Sequence, residues 1–327
     1  MRSTAIRVAF AAVFAFALAP AGFGSAAHAD ATLTVGKAAA NSDAIIPVDV
    51  GNQVGIFKKH GLTLKIVDFA GGSKMAQALA AGSIDIGDGA GTEMVLAYKG
   101  VPAKAICESA GPLSFLALGV AYDSPIKSVD DLKGKRIGIS SAGSLTDHIA
   151  HDLADQKGWG ENGITTVAIG NGSAGIIAAF RQGLIDADIS VTSLFLTMEE
   201  QKTGRLLAPV SSFMGPNASG TLYATNKLMK ENPAAVRAFV AGWIDTIAWM
   251  KSHKAETAKI EAKLVGFPES VMLREYDITI GMFTDDCRFS KESLKNLKTT
   301  FVKLKEMPES VDMSTLYTEE FLPKKKM

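Results

Sequence analysis

The sequence predicts an α/β protein built from two similar lobes, and an internal repeat carries most of this prediction. Residues 69–92 run from a Gly-Gly-Ser turn through an Ala-rich helix and a glycine into a short apolar strand, and residues 170–193 follow the same order. Two such copies about a hundred residues apart are typical of two equivalent α/β lobes rather than of one continuous sheet. Chance similarity of two βαβ segments is the alternative. The repeat pairs Gly72-Ser73 with Gly172-Ser173, Gly82 with Gly183, and Ile84-Asp85 with Ile185-Asp186.

Length and composition agree with this fold class. The chain has 327 residues, which suggests about two domains. Hydrophobic residues make up 47% and charged residues 21%, as in ordinary globular proteins. Basic and acidic residues number 34 each, and removing Arg2 and Arg7 with the amino-terminal segment leaves 32 basic residues against 34 acidic ones. This balance argues against nucleic acid as a partner.

The amino terminus has the pattern of a secretory signal peptide. Arg2 and Arg7 precede the apolar run Val8–Leu18, and Ala27-His28-Ala29 places small residues where cleavage occurs. The run is shorter than the roughly 18 residues that a spanning helix needs. We therefore expect residues 1–29 to be removed and the mature chain, starting at Asp30, to be periplasmic and soluble.

The elements of the first lobe follow in order. Strands are predicted at Leu33–Lys37, Leu64–Phe69, Ile84–Ile86 and Ala103–Ser109, with helices near 45–57 and 93–99. Pro47 fits the first turn of its helix, where no backbone N–H is needed. We assign residues 30–119 and 221–327 to this lobe. The tail from Pro233 onward has a helical pattern almost to its end.

The second lobe is predicted to cover residues 120–220. Gly111–Ala121 reads as a crossing strand, and buried strands are predicted at 137–140 and at Ile164–Ile169. Leu145, Ile149 and Leu153 mark the core face of a helix between them. Short, hinge-like crossings between the lobes are expected near 119–121 and 218–221.

Residues with reactive side chains indicate binding rather than catalysis. Cys107 and Cys287 could form a disulfide in an oxidising compartment, or could be two separate buried thiols. We predict the bridge.

His148 and His151 share a helix face, but a solvated face explains them better than a metal site. The sequence contains no nucleophile elbow and no phosphate-binding loop, so we expect no catalytic residue, no metal and no cofactor.

Four segments in register resemble a known family. They are VGIFKKHGLTLKIVDFAGG at 54–72, AQALAAGSIDIG at 76–87, DLKGKRIGIS at 131–140 and AAFRQGLIDADI at 178–189. Together they are similar to periplasmic substrate-binding proteins of ABC importers for nitrate, taurine, alkanesulfonates and thiamine-pyrimidine precursors. The resemblance implies a type II binding-protein fold in which each lobe is a sheet flanked by helices and the ligand lies in the cleft between them. It also implies a monomer that delivers its ligand to an ABC permease in the inner membrane.

The resemblance places ligand contacts on the loops that follow the strands. The first lobe would contribute Asn41, Ser42, Asp43, Asp88, Gly89, Gly91 and Thr92, and the second lobe Ser140, Ser141, Gly143, Ser144, Thr192 and Ser193, with Phe213 and Met214 as an apolar wall. Serines at a helix start, with the free backbone N–H groups there, can donate hydrogen bonds to an oxyanion, although serine is also a common helix N-cap.

The charge of these loops leaves the ligand open. Asp43 and Asp88 would repel a simple anion, and no arginine lies in the loops. The pattern fits an amine or a heteroaromatic N–H better than a bare anion, and an aminosulfonate remains compatible. The alternatives in function are an enzyme of the pyrimidine-precursor synthase type on the same scaffold, and a sensor that presents its ligand to a receptor.

Overall fold

The computed structural model describes residues 31–39, 42–69, 71–140, 142, 144–160, 162–170 and 172–324. The predicted signal peptide at 1–29, the expected first residue Asp30 and the candidate site residues Asn41, Ser141 and Gly143 lie outside these ranges. In the described part of the chain, no helix is both long enough and apolar enough to cross a membrane.

In the described part of the chain, ten strands form two sheets of five. The strands are β1 (Ala31–Lys37), β2 (Leu62–Asp68), β3 (Ile86–Gly89), β4 (Ala103–Ala110), β5 (Leu116–Ala121), β6 (Arg136–Ile139), β7 (Thr165–Ala168), β8 (Ala187–Val191), β9 (Gly204–Pro209) and β10 (Gly220–Thr225). The first sheet has the order β2-β1-β3-β10-β4, and the second has the order β7-β6-β8-β5-β9. The two orders correspond strand by strand, as the repeat predicts.

Twelve α-helices, counted over the same described residues, cover these sheets. They are α1 (Pro47–Gln53), α2 (Ile56–Lys59), α3 (Gly72–Ala80), α4 (Met94–Tyr98), α5 (Leu145–Gln156), α6 (Ser173–Arg181), α7 (Thr192–Glu200), α8 (Asn226–Glu231), α9 (Pro233–Ser252), α10 (Lys254–Val265), α11 (Glu269–Thr279) and α12 (Lys291–Lys303). The helix predicted over 45–57 is divided at Gly55, whose φ of 77° lies in the left-handed region that interrupts a helix. Pro47 occupies the first turn of α1 as expected.

One strand in each sheet runs antiparallel to its two neighbours, and β10 joins the first sheet after the chain has completed the second. Strand β10 pairs antiparallel with β3 and β4, and β5 pairs antiparallel with β8 and β9. The chain therefore passes between the sheets at 111–115 and at 210–219, so its two halves are joined by two short segments. The predicted boundary at 119/120 falls inside β5, and the one at 220/221 falls at the start of β10; these lobe limits stay predictions.

The repeated segments share their hydrogen bonds as well as their sequence. Helices α3 and α6 both have nine residues, and both lead to a glycine in the left-handed region, Gly82 with φ 67° and Gly183 with φ 63°. The next aspartate then accepts a backbone N–H from the neighbouring strand. Asp85 Oδ2 accepts from Thr34 N at 2.8 Å, and Asp186 Oδ2 accepts from Arg136 N at 2.9 Å.

Apolar side chains pack on both faces of the central strands of each sheet, as expected when helices lie on each side, whereas the edge strands β2 and β7 are partly exposed. One face of the first sheet packs against α9, where Trp243 is fully buried and the rings of Phe57 and Phe239 stack with centroids 5.2 Å apart. The opposite face packs against Met75 of α3 and Phe301 of α12. Helix α12 is thereby part of the first half of the molecule.

Two further links hold α12 against β4. Cys107 of β4 and Cys287 form a disulfide with their Cα atoms 4.5 Å apart. The adjacent Glu108 accepts hydrogen bonds from Ser290 N and Ser293 Oγ, both at 2.7 Å, at the start of α12. This buried carboxylate satisfies two donors of the helix start.

Candidate functional site

Two adjoining cavities lie where the two sheets face each other. The inner chamber has a volume of 170 Å³ and the outer chamber 340 Å³, and Thr92, Glu93, Leu113, Leu145 and Asn217 line both. Together they fall within the roughly 300–1,000 Å³ typical of small-molecule sites.

The inner chamber is largely apolar and is formed by the loops that follow β1 and β3, the two crossing segments and the first residue of α5. Its described lining consists of Ala38, Ala39, Ser42, Ala44, Ile45, Gly89, Ala90, Thr92, Glu93, Leu113, Phe115, Leu145, Asn217, Ala218 and Ser219. Glu93 is the one ionisable residue among them.

The outer chamber is more polar and brings helices from both halves together. Helix α12 contributes Leu297, Thr300 and Phe301, and α5 contributes His148, Ile149 and Asp152. Further ionisable groups on its wall are Lys99 and Glu306. A molecule that filled both chambers would have an apolar inner end and a more polar outer end.

Glu93 has a fixed carboxyl at the junction of the chambers. Its Oε2 accepts a hydrogen bond from Ala90 N at 2.7 Å and another from Thr92 Oγ1 at 3.3 Å. Burial raises the pKa of Glu93 to about 7, although these hydrogen bonds act in the opposite direction. A Cβ at position 72 would overlap the other carboxyl oxygen, so the glycine there makes room for Glu93.

Four of the predicted contact residues line the chambers. Ser42, Gly89 and Thr92 lie on the inner wall, and Thr92 and Met214 lie on the outer wall. The backbone of Gly91 is close by but is already used, because its N–H donates to Ala218 O at 2.7 Å. Phe213 packs against the core instead of lining either chamber.

Asp88 lies in the interior, next to a buried ion-pair network. Its side chain is 0% exposed, and neither carboxyl oxygen has a hydrogen-bond partner in the described part of the chain. Neighbouring Lys37 forms ion pairs with Asp49 at 2.6 Å and Asp68 at 3.3 Å. Burial holds the pKa of Asp88 well above its usual value, and the nearby Lys37 ammonium offsets this only in part. Its contact with a ligand stays a prediction.

Asp43, Thr192 and Ser193 belong to a buried contact between the halves. Ser193 N, in the first turn of α7, donates to Glu275 Oε1 of α11 at 2.7 Å, so a carboxylate of the protein already occupies this helix start. Thr192 Oγ1 donates to Ser114 O at 3.2 Å. Burial raises the pKa of Asp43 to about 7 and that of Glu275 well above its usual value.

The predicted serines Ser140 and Ser144 at the start of α5 both bond to Thr146. Thr146 Oγ1 accepts the N–H of Ser140 at 2.9 Å and lies 3.1 Å from Ser140 Oγ and 2.9 Å from Ser144 Oγ. Ser144 also caps the helix by accepting Asp147 N at 3.3 Å. The adjacent Leu145 reaches the chambers, whereas neither serine lines them.

Histidines of α5 have separate surroundings. His148 lines the outer chamber, whereas His151 Nε2 lies 3.4 Å from Asp147 Oδ1 on the same helix. No group of three or more potential metal ligands occurs among the residues that the structure describes.

Sequence reasoning missed Glu93, Leu113, Phe115, Leu145 and Asn217. Glu93 looked like an ordinary residue at the start of a helix, although it stands three positions after Ala90, the spacing at which an acid reaches back to a backbone N–H. Leu113 and Asn217 lie in the crossing segments, whose proximity to the site depends on contacts between distant residues.

Two relatives of this chain have names that describe binding proteins. Over 218 residues the chain is 25% identical to a protein of Brucella abortus whose name describes a binding protein, covering 66% of this chain and 66% of that relative. It is 28% identical over 222 residues to an Escherichia coli protein named for binding aliphatic sulfonates, covering 64% of this chain and 65% of the relative. The matched region thus spans about two thirds of these relatives.

Solved structures show the same architecture. The periplasmic aliphatic sulphonate binding protein SsuA of Escherichia coli superposes with a TM-score of 0.72 at 22% identity, covering 88% of this chain and 97% of SsuA. The desulfurization enzyme DszB superposes with a TM-score of 0.68 at 16% identity, covering 89% and 97%. These likenesses confirm the two-lobed α/β fold class.

A family model places the chain among its relatives. The model described as NMT1/THI5 like matches residues 43–257, a region that contains most strands of both sheets and the α5 face of the site. The match agrees with the resemblance seen in the sequence. The chain belongs to the NMT1/THI5-like family.

Proposed function

We propose that this protein is the periplasmic solute-binding component of an ABC importer and holds a small organic molecule in the two chambers. The observation that best supports this proposal is that residues of both halves line the two adjoining chambers. Thr92 and Glu93 come from the first half, and Leu145 and His148 from the second. Such a space exists only when the halves are together, which is how a ligand can stabilise closure.

The contacts across the outer rim support this closing motion. Lys303 Nζ of α12 lies 2.8 Å from Asp152 Oδ1 and 2.7 Å from Asp155 Oδ2 of α5. We refer to these three residues as the clasp. Asn296 Nδ2 also donates to Pro216 O at 2.6 Å. The covalent connections at 111–115 and 210–219 are the proposed hinge, and the polar rim contacts can break without unfolding either sheet.

A thermal-shift screen of the mature protein tests the proposal. The ligands are sulfonates, nitrate, pyrimidines, amines and aromatic carboxylates. A true ligand should raise Tm by mass action, by the equivalent of about 2.7 kcal/mol at a concentration of 100 times Kd. It should also decrease the radius of gyration measured by small-angle X-ray scattering, because the halves close around it. A Tm that none of these compounds changes would count against the proposal.

The alternatives are separated by two further measurements. Analysis of the recovered ligand after long incubation detects an enzyme, because a binding protein returns the compound unchanged. Uptake of the ligand into vesicles that contain a candidate ABC permease distinguishes an importer component from a sensor. Conversion of the ligand with repeated turnover would replace the binding role by an enzymatic one.

A further inference from the structure

The inner chamber has an uncompensated acidic group on an otherwise neutral wall. Its other described polar residues are Ser42, Thr92, Asn217 and Ser219, none of which carries charge. Ser219 Oγ already donates to Pro112 O at 3.0 Å. In the described part of the chain, Glu93 takes part in no ion pair within 4.0 Å. The chamber therefore offers a hydrogen-bond acceptor and no cationic partner for an anion.

The Glu93 carboxyl is held in place before any ligand arrives. The Ala90 N–H and the Thr92 hydroxyl both bind Oε2, which fixes the orientation of the group. Tyr223 supports the same turn by donating its hydroxyl to Ala90 O at 2.5 Å. An acceptor fixed in this way loses little side-chain entropy when it binds a donor.

We propose that Glu93 determines ligand class: the bound molecule directs an N–H donor, either an ammonium or a heteroaromatic N–H, at this carboxyl and places its apolar part in the inner chamber. This inference rests on the proposed binding function and deepens it. A molecule whose inner end is a bare sulfonate or nitrate would meet the carboxylate and be repelled.

Charged groups on the neighbouring elements fit this choice. Asp88 of β3 is a second acid near Glu93, and Tyr223 of β10 is a further titratable group close to it. Lys99, His148, Asp152 and Glu306 line the outer chamber. A cation at Glu93 favours its ionised form, so ammonium binding should tighten as pH rises through about 7, the pKa to which burial raises Glu93.

The competing explanation gives Glu93 a structural role only. In that case its carboxyl caps the turn at Ala90 and never touches a ligand. The variant Glu93→Gln separates the two roles, because glutamine also serves at this capping position but has no charge. Glu231→Gln, at the exposed end of α8, is the matched control.

The experiment is calorimetric titration with butylamine, 1-butanesulfonate and 3-aminopropanesulfonate at pH 6 and pH 8. We expect the two amines to bind the parent more tightly than butanesulfonate, and more tightly at pH 8. Glu93→Gln should weaken amine binding by about 10-fold or more, as expected for a lost charge-assisted hydrogen bond, and should remove the pH effect. Glu231→Gln should bind like the parent.

A second variant guards against misfolding of the first. Gly72→Ala retains the carboxyl but displaces it, and should reproduce the loss of amine affinity. Preferential binding of butanesulfonate by the parent overturns the inference while leaving the solute-binding function intact, as does equal amine affinity in Glu93→Gln and the parent. Failure of all three probes to bind at millimolar concentration counts against the donor class and, with a negative thermal-shift screen, against the proposed function as well.

Discussion

The two halves share a backbone design but differ in the acids they bury. In both, an aspartate after the repeated glycine binds the N–H of the adjacent strand, Asp85 in the first half and Asp186 in the second. The first half additionally buries Asp88, which has the Lys37 ammonium nearby, and the second half buries Asp188; neither carboxyl has a hydrogen-bond partner in the described chain. The shared acids stabilise the architecture, and the unshared ones distinguish the halves chemically.

The chambers reflect the same difference. The acid at their junction, Glu93, comes from the first half, whereas the second half contributes Leu145 to both chambers and His148 to the outer one. We infer that the first half provides charge selection and the second mainly closes over the apolar part of the ligand.

The largest expected effect concerns the disulfide, which belongs to the first half only. Replacing both cysteines in Cys107→Ser/Cys287→Ser removes a cross-link that spans 180 residues. The free energy of unfolding should fall by about 2–5 kcal/mol, measured by denaturant titration. Ser109→Ala, in the same strand, is the control. Labelling of two free thiols in the unfolded, unreduced mature protein would show that the bridge does not form.

The next prediction concerns the buried acid Asp188 and the pH dependence of the stability of the protein. Burial raises the pKa of Asp188 from the ordinary range of an aspartate to about 8. Its neutral form therefore favours folding, and this contribution is complete below about pH 4 and is lost as pH rises towards 8. The parent should lose up to about 1.4 kcal/mol per pH unit from this group.

Asp188→Asn tests this contribution against the other buried acids, which remain in the variant. The difference in unfolding free energy between variant and parent should shift in favour of the variant from pH 5 to pH 8, measured by urea titration at each pH. A difference that does not change with pH would show that Asp188 is ionised throughout or neutral throughout this window.

A smaller effect compares the two equivalent aspartates. Alanine at Asp85 or at Asp186 leaves a strand N–H without its acceptor, which should cost about 1–3 kcal/mol in each case. The Asp186 variant should be the less stable of the two, because Asp186 also accepts hydrogen bonds from the Arg136 guanidinium at 3.0 and 2.8 Å. Thermal unfolding of both variants measures the difference, and a greater loss at Asp85 would show that the Arg136 contacts do not add to the stability that Asp186 provides.

The smallest effect concerns the clasp between the halves. Lys303→Met removes both ion pairs, and because these groups are substantially exposed the change in stability should stay below about 1 kcal/mol. Ligand dissociation should nevertheless become faster, and its rate in the parent should rise with salt through screening. Stopped-flow measurements of Lys303→Met against Lys298→Met, also on α12, provide the comparison. Equal ligand dissociation rates in the two variants would show that the clasp has no part in closure.

Local patterns predicted the framework well, because strands and helix starts depend on nearby residues. The repeat placed α3 and α6 and their glycines correctly. The strand predicted at Ile84–Ile86 is instead at Ile86–Gly89, since Asp85 uses its side chain to hold the entering turn. The first strand was predicted at 33–37 and begins two residues earlier, at Ala31.

The site was harder to predict because it depends on contacts between distant residues. Ser193 looked available at a helix start, yet Glu275, 82 positions later, occupies its N–H. Glu93 gains its position from the space beside Gly72, and Leu145 reaches the chambers only because the two sheets face each other. No periodicity in a single segment records such pairings.

Helix α12 connects β4 of the first half with α5 of the second half. Glu108 binds the N-terminal end of α12 to β4, and the cystine at Cys287 ties the segment just before the helix to the same strand. About 20 Å further along, at 1.5 Å per residue, Lys303 forms its ion pairs with α5. Leu297 and Phe301, between these two ends, form part of the outer wall. Reduction of the cystine would therefore loosen the attachment of α12 to β4. Because the far end of α12 holds the outer wall of the site closed, the same reduction should speed the release of the ligand.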